Sequence, residues 1–398
     1  MLKNKFQLTV NTKIYNPFHF WEGFFYIHQM KNFFSLSLLA TIAAYILMSC
    51  QSKPNAILKE AIGKIDTIRK IKDTISIVAV GDMMLGSAFP SKANLPPDDA
   101  IHSFKAVDTF LKGDIVFGNL EGCFLNSGNS SKCIGANPNS CYAFRMPDRY
   151  GEQFKKAGFN VLSVANNHVG DFDAKGRKNT AKILDSLQIK YAGQLDKPFD
   201  IFEKDSVKYA FCAFAPNENT VSIKDIAGAK LLVAELKKQV DIVIVSFHGG
   251  GEGANFEHVT RKTEIFYKEN RGNVYAFAHG VIDAGADVVL GHGPHVTRAV
   301  ELYKNKFIAY SLGNFCTYGM FSLKGPNGFA PLLQLKVNSK GDFLYADVVS
   351  VKQDKVTQLT VDENFTAFNK LKSLTATDFP ETNLKFENNR ISLKENHE

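Results

Sequence analysis

The sequence predicts an α/β domain over residues 74–355, and three observations support this fold class. Apolar, strand-like runs alternate with segments of helical periodicity along most of this range. Several of the predicted strands end in a polar side chain flanked by Gly or Asn. Near the end, two β-rich runs at residues 332–337 and 343–351 enclose a polar segment, which indicates a hairpin in a second, partly antiparallel sheet.

The predicted elements follow one another without an internal repeat or a linker that would divide this range. Strands are predicted, in addition to the hairpin, at residues 74–80, 114–117, 159–164, 208–214, 241–245, 286–290 and 307–310. Helices are predicted at residues 101–111, 150–157, 174–187, 231–238 and 274–284.

The composition is that of a globular protein, with 45% hydrophobic and 22% charged residues in a chain of 398. The formal net charge of +7 partly reflects residues 1–49, since the remainder holds 43 basic and 39 acidic residues. No basic run or basic stripe with interleaved aromatic residues occurs, which argues against a nucleic-acid partner.

The N-terminal region predicts export as a lipoprotein. If translation starts at Met30, Lys31 supplies a positive n-region and residues 33–48 an apolar h-region. The sequence Leu-Met-Ser-Cys ending at Cys50 resembles the lipobox of bacterial lipoprotein signal peptides, so we expect a lipid on Cys50. The alternative is an uncleaved membrane anchor, although 16 apolar residues are marginal for a bilayer.

These signals predict five segments and a location in the bacterial cell envelope, on the exported side of the membrane. They are a non-native upstream extension (1–29), a signal peptide (30–49), a tether (50–73), the α/β domain (74–355) and a polar, peripheral C-terminal extension (356–398).

Three of the six cysteines, Cys123, Cys133 and Cys141, fall in one polar loop, where an exported protein permits a disulfide. The sequence does not decide which two pair. With Cys50 acylated, five cysteines remain, so at least one thiol stays free or pairs with another molecule.

The candidate site consists of metal-capable side chains at the ends of five predicted strands. They are Asp82, Glu121, Asn167 with His168, His248, and His292 with His295. Each has a structural alternative, such as a turn cap for Asp82 or a buried, satisfied histidine for His168. Because strand carboxyl ends are where ligand sites assemble in α/β folds, their joint occurrence favours a site for one or two metals.

These motifs in this order resemble the signature of the calcineurin-like metallophosphoesterases. The variants present, together with Tyr-Ser-Leu-Gly-Asn-Phe at residues 310–315, resemble the branch of the poly-gamma-glutamate capsule protein CapA. The resemblance covers residues 74–350. It implies a four-layer α/β/β/α sandwich with two facing mixed sheets, in an exported protein of capsule or extracellular polymer biosynthesis.

The resemblance also implies roles for the matched residues. Asp82 and His295 would bind one divalent metal ion (Mn, Fe, Zn or Mg). Asn167, His248 and His292 would bind the other, with Glu121 at the bridging position and His168 as general acid.

Three features depart from the superfamily: Met84 replaces a histidine ligand, Glu121 replaces Asp, and two residues separate His292 from His295. A thioether binds these metals poorly, so the departures question ordinary phosphomonoester hydrolysis.

Two functions therefore remain open. One is a metal-dependent hydrolase of phosphoesterase type, in which Arg145 and Arg298 bind the anionic charge of an acidic polymer or phosphoester substrate. The other is a non-catalytic, polymer-binding or assembly subunit that works with membrane-bound synthesis proteins. For both arginines the alternative is an ordinary surface or salt-bridge role. Glu252, in an insert at residues 249–273 where we expect specificity to reside, either reaches the site or is a solvated loop carboxylate.

Overall fold

Two large β-sheets form the framework of the protein in a computed structural model that describes residues 72–134, 141–354 and 358–395. Residues Arg69–Glu398 form one compact unit. The strands are β1 Thr74–Met84, β2 Ile115–Leu120, β3 Cys123–Phe124, β4 Arg145–Met146, β5 Val161–Ser163, β6 Lys190–Ala192, β7 Phe199–Lys204, β8 Val207–Phe214, β9 Ile242–His248, β10 Ile265–Phe266, β11 Glu269–Asn270, β12 Val288–His292, β13 Val300–Tyr303, β14 Lys306–Ala309, β15 Asn314–Thr317, β16 Phe329–Asn338, β17 Phe343–Asp354, β18 Gln358–Val361, β19 Leu384–Glu387 and β20 Arg390–Leu393. The helices are α1 Gly151–Ala157, α2 Asp173–Ser186, α3 Ile226–Lys237, α4 Val274–Asp283 and α5 Thr366–Asp378.

The larger sheet has ten strands in the order β19-β20-β17-β16-β1-β2-β5-β6, with β15 beside β1 and β18 beside β17. Strands β1, β2, β5 and β6 are parallel to one another. Parallel neighbours need crossover connections, and α1 and α2 lie in two of them. The predicted hairpin, β16 with β17, is antiparallel, but it joins this sheet beside β1 and does not form part of a second sheet.

The second sheet has six strands in the order β13-β14-β12-β9-β8-β7. Its central strands β8, β9, β12 and β14 are parallel, and antiparallel β7 and β13 form its two edges. Helix α3 connects β8 to β9 and helix α4 connects β9 to β12. Both sheets are therefore mixed, and each has a parallel centre.

Strand alternation shows that the two sheets face each other. Ile242 and Ile244 of β9 belong to an apolar core shared with β1 and β2 of the other sheet, whereas Val243 and Val245 belong to a second core with α3 and α4. Successive side chains of a strand point to opposite faces, so β9 is covered on both sides. A third core packs α1 and α2 against the outer face of the larger sheet. The predicted four-layer α/β/β/α arrangement is confirmed.

The C-terminal residues, expected from their composition to be peripheral, are part of this framework. β18 pairs with β17, and β19 and β20 extend the larger sheet. Phe368 and Leu371 of α5 reach the core between the sheets, and Leu374 reaches the core of the smaller sheet. Apolar residues three apart form a buried stripe on an otherwise polar helix, which overall composition conceals.

The helix predicted at residues 101–111 is replaced by successive turns. The backbone N–H of residue 107 donates to the carbonyl of Phe104, and Phe110 to Val107, both three residues apart. Phe104, Val107 and Leu111 are still buried. The predicted helix is therefore wrong, because a series of turns can bury residues at the same apolar spacing as an α-helix.

A disulfide joins Cys133 to Cys141, with their Cα atoms 5.7 Å apart. Cys123, Cys212 and Cys316 are free and buried. Of the three cysteines that the sequence left open, the second and third therefore pair, and Cys123 stays free.

No helix among the described residues has the length and apolar character needed to cross a bilayer. The predicted upstream extension, the signal peptide, Cys50 and the tether up to residue 71 lie outside the described residues.

Candidate functional site

The carboxyl ends of central strands from both sheets supply the predicted site. In the larger sheet Asp82 pairs in register with Asn119 of β2. In the smaller sheet His292 of β12 lies directly beside His248 of β9. All four side chains are buried. Parallel strands that start from the same side deliver their last residues to one edge, which brings residues distant in sequence together.

Within the candidate site, Asp82 of the larger sheet contacts two histidines, one at the end of β12 in the smaller sheet and one in the loop that follows it. Its Oδ1 lies 3.2 Å from Nδ1 of His292, and its Oδ2 lies 2.9 Å from Nδ1 of His295. Burial alone would raise the pKa of Asp82, but the two imidazoles hold it below its usual range. Burial likewise opposes charge on His295, yet the hydrogen bond to Asp82 raises the pKa of His295 to about 10.

The loop carrying these histidines depends on Gly293. Its φ of 111° lies in the region that favours glycine, and a Cβ there would lie 2.8 Å from the backbone nitrogen of Gly249. His295 itself has a φ of 57°. This tight backbone turns His295 back towards Asp82, which the Gly-His-Gly-Pro-His motif predicted.

Glu121 is completely buried beside Asp82. Its Oε2 accepts a 2.5 Å hydrogen bond from the amide of Asn119, which also donates to Oδ1 of Asp82 at 2.9 Å. Burial, followed by the charge of Asp82, raises the pKa of Glu121 well above its usual range. Oε1 of Glu121 has no hydrogen-bond partner.

Two asparagines organise this region and received no role from the sequence. Asn166 donates to Oδ1 of Asn119 at 3.0 Å, and its own Oδ1 accepts the backbone N–H of His168 at 3.0 Å. Both amides are buried. For Asn119, the sequence feature that could have indicated a role is a polar side chain in the otherwise apolar run Ile-Val-Phe-Gly-Asn-Leu of β2. A buried amide needs hydrogen-bond partners, so other polar residues are expected beside it.

His248 faces Glu121 with one ring nitrogen and an arginine with the other. Its Nδ1 lies 3.8 Å from Oε2 of Glu121 and makes no hydrogen bond. Its Nε2 lies 3.4 Å from a terminal nitrogen of Arg271, which in turn contacts Oε1 of Glu252 at 2.8 Å. Burial, then the charge of Arg271, lowers the pKa of His248 well below its usual value, so the ring is neutral. Glu252 thus reaches the site, through an arginine that the sequence did not single out.

His168 lies at the end of β5 beside this cluster. Its Nδ1 contacts Oδ2 of Asp171 at 2.7 Å, and its ring stacks on Phe144 at 4.0 Å between centroids. Burial lowers the pKa of His168, against the opposing charge of Asp171. Lys132 also contacts Asp171, at 2.5 Å, and donates to the backbone carbonyl of Asn167 at 2.9 Å.

The structure does not bring the two predicted arginines to the site. Arg298 is fully buried and donates to both carboxylate oxygens of Glu264 at 2.9 and 2.8 Å. Arg145 donates to the carbonyls of Gly128 and Ala88 at 2.6 and 3.2 Å. Arg298 therefore has the salt-bridge role that was its alternative. Arg145 instead holds two loop carbonyls, and its Nε is buried without a hydrogen-bond partner.

Met84 is also engaged within the protein. It is completely buried, and its sulfur accepts the backbone N–H of Gly86 at 3.2 Å. The thioether at this position, where the sequence resemblance implies a histidine, therefore already has a partner.

Unpartnered donor atoms test whether the cluster suits a metal ion. Within the cluster, five buried atoms make no hydrogen bond to any described residue: Oε1 of Glu121, Oδ1 of Asn167, Nδ1 of His248, and both ring nitrogens of His292, of which Nδ1 lies 3.2 Å from Oδ1 of Asp82. Leaving so many polar atoms unpaired costs free energy, and oxygen and imidazole donors together suit borderline divalent cations. Within the described ranges no three His, Cys, Asp or Glu side chains are already spaced as a complete metal site. The donor set nevertheless fits a divalent cation chemically.

Fold and site together define an α/β protein with a polar centre at the strand ends of two facing sheets. The chain belongs to the bacterial capsule synthesis protein PGA_cap family, whose model matches residues 76–318. This confirms the predicted family resemblance.

Individual relatives are similar at lower identity. The capsule biosynthesis protein CapA of Bacillus anthracis is 29% identical over 265 residues, which span 61% of this chain and 60% of that protein. The PGA biosynthesis protein CapA of Bacillus subtilis is 26% identical over 328 residues, covering 74% and 80%. Among solved structures, a putative 5'-nucleotidase from Staphylococcus aureus has a TM-score of 0.40 at 14% identity, covering 76% of this chain and 58% of that one.

Proposed function

We propose that this protein is an exported lipoprotein of capsule or extracellular polymer biosynthesis, of polyglutamate type, with a metal-dependent hydrolase site at the strand ends. Membership of the capsule synthesis family supports the biological process. The observation that carries the chemistry is the set of unpartnered, buried oxygen and imidazole atoms around Asp82. A cluster of buried polar atoms without partners calls for an explanation, and a bound cation supplies one.

In this proposal Asp82 and His295 hold one divalent ion, and Asn167, His248 and His292 hold the second. Glu121 stands between the two sets, beside Asp82. When bound, such an ion polarises a phosphoryl or carbonyl group and makes water more acidic. The metal is Mn, Fe, Zn or Mg.

His168 supplies the proton for the leaving group. Asp171 occupies Nδ1 of the ring, so Nε2 is the atom that donates. Stacking on Phe144 fixes the plane of the imidazole. Asp171 stabilises the cationic form of the ring that exists before the proton is transferred.

The second candidate is a non-catalytic subunit that binds the acidic polymer for membrane-bound synthesis proteins. One observation favours it: Met84 leaves the first metal without the histidine of the superfamily, and its sulfur is occupied by Gly86. In that case metal binding would organise the cluster without turnover.

Metal content and turnover distinguish the two. The wild-type chain should retain one or two equivalents of divalent metal and hydrolyse a phosphodiester or amide substrate. His168→Ala should lower turnover by about 10²-fold to 10⁴-fold at unchanged metal content, because it removes only the proton donor. The control is His102→Ala, which changes an exposed histidine paired with Asp98.

Two results would contradict this proposal in different ways. A chain without bound metal would rule out the metal site. A metal-loaded chain that turned over no phosphodiester or amide, and whose His168→Ala variant still supported capsule formation, would establish the non-catalytic subunit instead.

A further inference from the structure

Arg271 combines deep burial with incomplete pairing. Its side chain is 3% exposed, and its Nε is buried without a hydrogen-bond partner. A guanidinium presents five N–H groups in a planar fork that matches two oxygens of a carboxylate or phosphate. A buried fork that is only partly used is poised to accept an oxyanion.

The ion pairs of Arg271 both involve carboxylates that are more exposed than the arginine itself. One terminal nitrogen lies 2.8 Å from Oε1 of Glu252, and the other lies 3.6 Å from Glu269. The side chain of Glu252 is 23% exposed and that of Glu269 is 65% exposed. Both carboxylates therefore approach the buried arginine from the solvent side, where an incoming anion also arrives. Of the two, Glu269 is the exposed partner, and its long contact contributes little free energy. Glu252 is the one close carboxylate, so an incoming anion has a single close ion pair to replace.

The backbone holds Arg271 rigidly at the edge of the candidate centre. Its N–H donates to the carbonyl of Glu264 at 2.9 Å, and its own carbonyl accepts the N–H of Gly250 at 3.0 Å. Glu264 is in turn fixed by the bidentate contact with Arg298. Arg298 thus stabilises the backbone around Arg271. The guanidinium of Arg271 lies 3.4 Å from His248 and takes no part in holding that backbone.

We propose that Arg271 binds an oxyanion of the substrate, a carboxylate or a phosphate, in place of Glu252. This rests on the proposed function only in that the anion belongs to the molecule acted on at the strand-end centre. Glu252 is then a displaceable competitor that neutralises the arginine until the anion arrives. Selection for acidic molecules follows, because a neutral group cannot replace the charge of Glu252.

Calorimetric titration of the purified full-length chain tests this, with two probes that separate the sources of the anion: inorganic phosphate and an oligomer of γ-linked glutamate. Arg271→Met should weaken binding of the preferred probe at least tenfold. The matched control is Arg261→Met, an arginine of the same insert that pairs with Glu381, and should change binding less than twofold. Glu252→Gln should tighten binding several-fold, because it removes the competing charge.

The Glu252→Gln variant separates anion binding from a structural role. If Arg271 and Glu252 only stabilise the insert, Glu252→Gln will weaken binding or leave it unchanged, and either result overturns the proposal. So does Arg271→Met with wild-type affinity, or failure of both probes to bind the wild type. If Arg271→Met does not fold, Arg271→Lys keeps the charge without the fork and should still bind less tightly than wild type.

Repeating the titrations after removal of metal by a chelator distinguishes this proposal from the previous one. A chain that holds no metal and shows no turnover should still bind the anion through Arg271. Conversely, an active, metal-loaded enzyme in which Arg271→Met leaves affinity intact would overturn the inference and leave the proposed function standing.

Discussion

At the scale of single residues, Asp171 is where the contacts around His168 meet. One carboxylate oxygen contacts Nδ1 of His168 at 2.7 Å and accepts the backbone N–H of Phe144 at 2.7 Å. The other contacts Lys132 at 2.5 Å. Burial would raise the pKa of Asp171, but His168 and Lys132 hold it below its usual value. Asp171 is therefore an anion held in place from three directions, and it determines the orientation of the imidazole.

Asp171→Asn should lower turnover by about tenfold or more while leaving metal content unchanged, because it weakens the orientation and charge of the proton donor. The control is Asp173→Asn, an exposed carboxylate two residues along the chain. The measurement is kcat and KM for both variants, and the loss should appear in kcat. Equal kcat values for the two variants would exclude a role for Asp171 in catalysis.

The arginines show where prediction from single residues stops. The position of Arg298, three residues after His295, predicts a role in substrate binding, but its side chain turns into the fold and contacts Glu264. Arg271 is 23 residues from His248 in the sequence yet contacts it. The strand-end histidines and carboxylates could be predicted since strand direction determines where they lie. The position of an arginine on an insert depends on how the insert folds back, which local sequence does not specify.

At the scale of elements, Asp114 ties the start of β1 to the start of β2. Its Oδ2 accepts the backbone N–H and the hydroxyl of Ser76 at 2.7 and 2.8 Å, and Oδ1 contacts Lys72 at 2.7 Å. Burial would raise the pKa of Asp114, but these partners lower it below the ordinary 3.8. The contact stabilises the register of two strands that carry Asp82 and Glu121 to the site.

The sign of the pH dependence follows from this lowered pKa. The contribution of Asp114 to the free energy of unfolding is fully present above pH 3.8 and is lost as the pH falls through the lower pKa of the folded state. Asp114→Asn should reduce the free energy of unfolding at neutral pH by about 1–3 kcal/mol. Between neutral pH and strong acid it should then lose less stability than the wild type.

Urea unfolding across that pH range measures both effects. Asp347→Asn, which breaks an exposed pair with Arg390, is the matched control and should behave like the wild type. Parallel acid profiles for the wild type and Asp114→Asn would contradict the assignment.

Most elements could be predicted because periodicity in strands and helices reports burial on one or two faces. The segment at residues 101–111 could not, since its three-residue backbone contacts satisfy the same apolar spacing. Ends of strands were predicted less well than their centres. β9, for example, continues to His248, where the predicted strand stopped at residue 245.

At the scale of the whole molecule, the C-terminal residues belong to the same folded unit as the site. Strands β18 to β20 add to the larger sheet. Thr375 of α5 donates to the carbonyl of Val300 at 3.2 Å and accepts its N–H at 3.0 Å. Composition alone predicts a peripheral segment, because composition does not show which few side chains of the segment are buried.

The proposed lipoprotein processing is a property of the whole chain and can be checked on it. Mass spectrometry of the membrane fraction should find a mature N-terminus at Cys50 carrying acyl chains. Cys50→Ala should abolish both cleavage and acylation, because the thiol is the acceptor of the lipid. Cys316→Ala, at a buried free cysteine, is the control and should be processed normally. An uncleaved chain in the membrane would indicate the anchor that the sequence left as an alternative.

The two halves of the candidate centre come from different sheets, and hydrocarbon separates those sheets. Phe117 of β2 packs against Phe211 of β8 at 5.6 Å between ring centroids and against the ring of His292 at 5.5 Å. Protein interiors are close-packed and transmit small changes in volume. In the proposed metal centre, the distance between the donor atoms of the two sheets would then depend on Phe117, an aromatic residue that is not itself a proposed ligand. A substitution among these apolar residues would alter the metal selectivity of that centre while every proposed ligand stays the same.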